Sequence, residues 1–405
     1  MHRSTRTKWW GALAAATALT LLTACGGGAA SSGGGDPIKV MLISQLESAD
    51  FSWPEIESMS RAAIKPVNDA GGIGSRQIEL EVCNEQRDAN KAAACARQAV
   101  SDEVDLVLAP FTNFGGSILP ILEQARIAYT GNTVLAPDDG TNPVSFPLLG
   151  GTPSGGAGVG TEFVRRGCTQ AGAIGYDNAS SNAFIGYVER GLKSAGGSLV
   201  AQARVAPGTP DYAPALATVT AGGAKCIFLA LPPNEAAKLI SAVAQSPTKP
   251  LLGASYATIP PAVISKVPAE AVEGTVLIGQ SFAYNDEVDQ MRVMSQQASA
   301  AGVPEEQIRG SYGVLSWSVA TIALEALKSI PGEIDQKSVF DAMAKIEQPA
   351  TGPLGAFTTS REFAAPGLNR LFNRNVLTYT VKGGQTVLDS PEWHDMSSAL
   401  SGTTS

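Results

Sequence analysis

Nucleophilic catalysis needs a base beside its nucleophile, and this 405-residue chain has two histidines, His2 and His394. His2 lies in a basic N-terminal segment, and His394 stands in a polar C-terminal stretch where a solvated role is expected. A Ser–His–Asp or Cys–His arrangement therefore has little to work with. Zinc spacing is absent, since there is no C-x-x-C and no H-E-x-x-H. Acid–base chemistry would fall to Asp177 and Glu47, and nothing in the sequence brings those two together. The glycine-rich run at 150–160 contains no G-x-G-x-x-G and no Gly-Lys follows it, so it reads as a hinge-side loop before a helix. The remaining polar and aromatic loop residues suit recognition without reaction.

The elements that position those loops begin with Ile38–Ser44, a nearly all-apolar run expected of a strand buried on both faces. A helix follows, with Ile56, Met59, Ala63, Ile64 and Val67 on one stripe. Ser52 and Glu55 have capping-box spacing, Pro54 suits a first turn, and Pro66 should kink the helix late. Gly71 and Gly72 end it, and Ile78, Leu80 and Val82 alternate with polar residues as a parallel strand. The alternation continues with helices at 89–100 and 117–125 and strands at 105–109 and 127–130. It restarts after the glycine run, with strands at 171–176, 199–204, 226–230, 251–253 and 276–278. Helices at 161–166, 185–195, 212–221 and 235–244 lie between them. From Asp286 the chain turns helical, at 288–301, 313–329 and 338–345, and 376–381 with 385–388 reads as a closing hairpin about Gly383-Gly384. This order predicts an α/β chain with doubly wound parallel sheets.

Such sheets bind ligands beyond the carboxyl ends of their strands, where helix N-termini offer free N–H groups. The loops so placed are 45–53, 111–116 and 131–135 in the first unit, and 176–182, 231–234 and 254–258 in the second. Trp53 and Phe114 can pack on an apolar ligand tail, and Trp53 suits a hydrophobic staple equally well.

Met1 to Lys8 is basic, residues 9–22 are apolar but short for a bilayer span, and the run ends Leu22-Thr23-Ala24-Cys25. That ending resembles a bacterial lipobox, which implies a signal peptide over 1–24 and a lipid anchor at Cys25. The alternative is an ordinary signal peptide with Cys25 incidental. Residues 25–35 form a flexible Gly/Ser/Ala linker with a reach of about 17 Å. The expected location is extracytoplasmic, anchored to the cell membrane by lipid. Export permits disulfides among Cys83, Cys95, Cys168 and Cys226. Cys83 with Cys95 joins a strand end to the next helix, and Cys168 with Cys226 joins two segments leading into strands; buried free thiols are the alternative. Charged residues make up 16% of the chain, and without Arg3, Arg6 and Lys8 the formal charge falls from −8 to −11. That excess of negative charge argues against nucleic acid or an anionic membrane surface as partners.

The opening "IKVMLI", a long loop and "VNDAGGIGSRQIELEV" resemble the start of the leucine/isoleucine/valine-binding proteins, the extracytoplasmic receptors of bacterial ABC importers. The resemblance covers most of 38–388. It implies two doubly wound parallel-sheet lobes joined by a three-crossing hinge, the type I periplasmic-binding-protein fold, with crossings near Phe146, Phe282 and Gly352. Lobe 1 would take 36–146 with 283–351, and lobe 2 would take 147–282 with 352–395, leaving 396–405 as a tail. It further implies a monomer without cofactor or metal that delivers a small ligand to a membrane permease, the ligand being a branched-chain or related amino acid. In the family, two lobe 1 loops hold the ligand α-carboxylate. "VLAPFTNFGG" puts Asn113 where a serine usually sits, and "AYTGNTVLAP" puts Gly131, Asn132 and Thr133 at or near Ala-x-Thr. Asn113 equally suits a turn residue that bonds its own backbone. In lobe 2 the usual tyrosine aligns with Ser181, and the acid that meets the α-ammonium aligns near Ser255. A buried ammonium without a counter-charge costs several kcal/mol, so Asp177 or Glu47 would have to substitute. Otherwise both are solvated loop carboxylates, and the ligand is a non-amino-acid solute such as a small carboxylate or amide. A ligand sensor on the same fold is a further alternative.

Overall fold

The computed structural model describes residues 35–48, 51–284, 287–310 and 312–402. The segments expected to be a signal peptide (1–24) and a lipid-anchored linker (25–35), Cys25 included, lie outside the described residues except for Gly35.

In chain order, lobe 1 opens with β1 (Ile38–Ser44), α1 (Glu55–Asp69), β2 (Ile78–Asn84), α2 (Ala89–Ser101), β3 (Leu106–Leu108), α3 (Gly115–Ala125), β4 (Ala128–Thr130) and β5 (Ser145–Phe146). Lobe 2 follows with α4 (Gly151–Arg165), β6 (Gln170–Tyr176), α5 (Ala179–Ser194), β7 (Ser198–Val205) and α6 (Ala213–Ala221). It continues with β8 (Cys226–Ala230), α7 (Pro233–Gln245), β9 (Leu251–Ser255) and β10 (Val276–Gly279). The chain returns to lobe 1 for α8 (Asp289–Ala300), α9 (Gly313–Lys328) and α10 (Gln336–Met343). It ends in lobe 2 with β11 (Asn375–Lys382), β12 (Gln385–Leu388) and α11 (Ser397–Ser401).

The lobe 1 sheet has the order β2-β1-β3-β4-β5 and is parallel throughout. Its apolar strands serve two cores. Val40 and Leu42 pack with Ile56 and Met59 of α1, and Met41 and Ile43 pack with Ala96 of α2 and Leu119 of α3. Helices on both faces are the reason β1 carries no polar alternation. The lobe 2 sheet runs β12-β11-β10-β9-β8-β6-β7, parallel except where β11 joins β10 and β12 antiparallel. Both disulfides form as expected, Cys83–Cys95 and Cys168–Cys226. No helix among the described residues is long and apolar enough to cross a membrane.

Three local expectations fail. Ser52 does not cap α1: it pairs with Glu47 in a two-residue hairpin, and Pro54 occupies the cap position. The glycine run at 150–160 is not a loop, because α4 begins at Gly151 and runs through it. A Cβ on Gly160 would stand 2.2 Å from the Val188 carbonyl oxygen, and one on Gly191 2.1 Å from the Ala157 carbonyl oxygen. Backbone approach between α4 and α5 demands glycine there, and packing outweighs a helix-propensity cost of about 1 kcal/mol per glycine. Finally, 396–405 is not simply a tail, since Met396, Ala399 and Leu400 are buried in the lobe 2 core around α11.

The chain passes between the lobes three times: from β5 to α4, from β10 to α8, and from α10 to β11. The third passage is stitched to the first. Arg370 donates through its backbone N–H to the Gly140 carbonyl at 2.8 Å and through Nε to the Ser145 carbonyl at 2.9 Å. Its guanidinium lies 4.6 Å from the ring centroids of both Phe146 and Phe372, and Asn373 donates to the Leu148 and Leu354 carbonyls.

Candidate functional site

A cavity of about 620 Å³ opens where the strand ends of the two lobes face each other across these passages. That volume lies within the usual range for small-molecule sites. Lobe 1 contributes Phe111 after β3, Thr133 and Leu135 after β4, and Tyr312, Val314 and Leu315 at the start of α9. Lobe 2 contributes Phe184 of α5, Ser255 at the end of β9 with Tyr256 and Ala257 just after it, and Gln385 and Thr386 of β12. The passages supply Leu149, Gly151 and Thr152 from the first, and residues 280–284 from the second.

Aromatic packing fixes much of this wall. Trp53, Phe111 and Tyr312 form a cluster, with ring centroids 5.5 Å apart for Trp53–Phe111, 4.8 Å for Trp53–Tyr312 and 4.5 Å for Phe111–Tyr312. Burial pushes the Tyr312 phenol well above its ordinary range, so it stays protonated. Phe184 packs edge-on against Phe228 at 4.9 Å, and Tyr256 against Tyr379 at 5.2 Å. At the rim, Arg309 lies 4.8 Å over the Tyr284 ring and forms a 2.8 Å pair with Glu305.

The polar groups of the cavity are mostly neutral. Ser255 and Thr258 share a hydroxyl contact at 3.0 Å, and Thr133 donates to the Pro110 carbonyl at 3.2 Å. Gln280 holds the floor: its Oε1 accepts from the Gly151 N–H at 2.6 Å and its Nε2 donates to the Gly151 carbonyl at 2.7 Å. Gly151 has φ +57°, and a Cβ there would meet the Val134 carbonyl oxygen at 1.9 Å, so this corner requires glycine. Among the described residues no aspartate or glutamate lines the cavity.

Of the residues singled out from sequence, the structure brings Thr133 and Ser255 to the cavity. Trp53 stands one layer behind, against Phe111 and Tyr312. The others are placed elsewhere. Asn113 is exposed, and Phe114 precedes α3 and packs on the α2–α3 core. Gly131 is buried against Leu108 and Val319. Asn132 is buried and donates to Asp139 and to the Ser145 hydroxyl, both at 3.2 Å. Ser181 is buried in the first turn of α5, where it donates to the Ala230 carbonyl at 3.2 Å. Asp177 and Glu47 are exposed, and neither lines the cavity. Sequence reasoning missed Phe184, Gln280, Phe282, Tyr284, Arg309 and Tyr312; the signal available for 280–284 was their position directly after β10.

Solved structures with the same fold extend this geometry. The chain is similar to a branched-chain amino acid ABC transporter protein from Thermus thermophilus with bound valine, at 14% identity and a TM-score of 0.73 over 90% of this chain and 98% of that one. It is similar to a leucine binding protein from Thermotoga maritima, at 15% identity and 0.68 over 87% and 98%. It is also similar to a solute binding protein from R. palustris in complex with benzoate, at 16% identity and 0.67 over 88% and 96%. A search of curated protein sequences returns no match. At these identities the structures establish the fold, and the family rests on sequence. The family model for periplasmic binding proteins matches residues 38–385, spanning both lobes and all three passages, and the chain therefore belongs to the periplasmic binding protein family.

Proposed function

We propose that the protein is the extracytoplasmic, lipid-tethered receptor of an ABC importer, and that it closes two lobes around a small amphipathic solute for delivery to the permease. The observation that carries the reading is the interlobe cavity, built from strand ends of both lobes and spanned by three passages. The closing bodies are residues 36–146 with 283–351 against 147–282 with 352–395, hinged near Phe146, Phe282 and Gly352. Thr133 and Ser255 meet the ligand. Cys25 carries the lipid, which leaves the receptor within reach of a membrane partner. Two ligand classes have support from neighbours of the same fold, branched-chain amino acids and benzoates.

A thermal melt of the full chain against a broad library of amino acids and organic acids tests this. A ligand at 100 times its Kd adds about 2.7 kcal/mol, a shift of a few degrees. A library in which no solute moves the melt contradicts the receptor reading.

A further inference from the structure

We infer that the cavity takes an amine-free aromatic solute: a flat apolar ring carrying a neutral or singly anionic head group. This rests on the receptor reading above and narrows it.

The ring is argued from the walls. Lobe 1 presents Phe111 and Tyr312, and lobe 2 presents Phe184 and Tyr256. Closure brings aromatic surfaces toward a ligand from both sides. Each of these rings is already held by a second ring, at 4.5 Å for Phe111–Tyr312, 4.9 Å for Phe184–Phe228 and 5.2 Å for Tyr256–Tyr379. Rings fixed before binding lose little freedom on binding, and aromatic pairs gain from stacked or edge contacts beyond the area they bury. A ligand with its own ring uses such walls most fully.

The missing amine is argued from charge. The charged side chain among the described lining residues is a cation, Arg309, at the rim. At the lobe 2 strand end stands the neutral hydroxyl pair of Ser255 and Thr258. The buried Glu55 carboxyl packs against Gly310, accepts from the Tyr312 backbone and is not itself among the lining residues; burial raises its pKa and so disfavours its charged form. An ammonium sealed in by closure finds no carboxylate among the described lining residues, and an unpaired buried charge costs several kcal/mol. A carboxylate or phenol instead finds hydroxyl donors, with the Arg309–Glu305 pair at the rim.

Matched pairs test the two halves together. Purified full chain is titrated with 3-phenylpropanoate and phenylalanine, with 4-methylpentanoate and leucine, and with benzoate. Binding is read by calorimetry and by Trp53 emission, since that indole packs on Phe111 and Tyr312. The expected result is 3-phenylpropanoate or benzoate binding at least about tenfold tighter than phenylalanine or leucine, a difference of about 1.4 kcal/mol. Phe184→Leu should weaken 3-phenylpropanoate by about tenfold and leave 4-methylpentanoate within about threefold. Phenylalanine or leucine binding as tightly as its amine-free counterpart overturns the inference and leaves the receptor standing. Absence of binding by every aromatic acid also overturns it, and the receptor reading falls with it only if the wider library is silent too.

Discussion

Glu85 follows β2 and is wholly buried, and burial raises its carboxyl to about 7, against the Thr112 hydroxyl that donates to it at 2.6 Å. Asp139 is raised to about 6 by burial, although the Leu135 and Ala136 N–H groups and the Asn132 amide all donate to it. The folded state therefore holds protons on both groups at pH values where the unfolded chain has released them. Their contribution to stability is greatest below the ordinary carboxylate range and is lost as pH rises through about 6 and 7. Glu85→Gln should flatten that loss and raise stability at pH 8 by about 2 kcal/mol, as an order of magnitude. Urea melts at pH 5 and pH 8 check it, and equal pH slopes in both proteins contradict it. Glu85 and Asp139 also mark where sequence reading stops at this scale. Thr133 and Ser255 were legible because they stand at or just beyond the carboxyl ends of strands that end at the cavity. Asn132 and Ser181 follow strands as well, yet they turn back into structural hydrogen bonds. A polar residue type at a strand end does not record which way its side chain points.

The element least legible from sequence is α4. Five glycines lie between 151 and 160, and local propensity argues against a helix through them. The helix forms because α5 approaches so closely that only hydrogen fits at Gly160 and Gly191. Gly160→Ala is a gain in helix propensity on paper, and it should nevertheless destabilise the protein by about 3 kcal/mol by forcing α4 and α5 apart. A thermal melt with a lowered midpoint supports that account, and an unchanged or raised midpoint contradicts it. The strands were easier to read, because burial on both faces makes their apolar runs continuous. Helix starts differ most at α4 and α5, expected from residues 161 and 185 and observed from Gly151 and Ala179. Ser52 was matched to a capping box by spacing, and its pairing with Glu47 is a contact that spacing does not encode.

At the scale of the molecule, α/β alternation and the glycine-marked restart were enough to foresee two parallel sheets, and family resemblance supplied the three passages that alternation alone cannot count. Under the proposed closure, the packing of the passages is what would turn a binding event into a shape change. Gln280 ties the second passage to Gly151 at the start of α4, and Arg370 and Asn373 tie the third passage to the first. The three strands of the hinge are thus coupled, so that solute in the cavity acts on one hinge and not on three independent linkers. Closure is favoured to the extent that the solute touches both lobes in the closed state and one lobe in the open state. X-ray scattering of the full chain with and without saturating 3-phenylpropanoate measures this most directly. The account predicts a smaller radius of gyration and a weaker two-lobed signature when the solute is bound. Calorimetric binding of that solute with an unchanged scattering profile contradicts it.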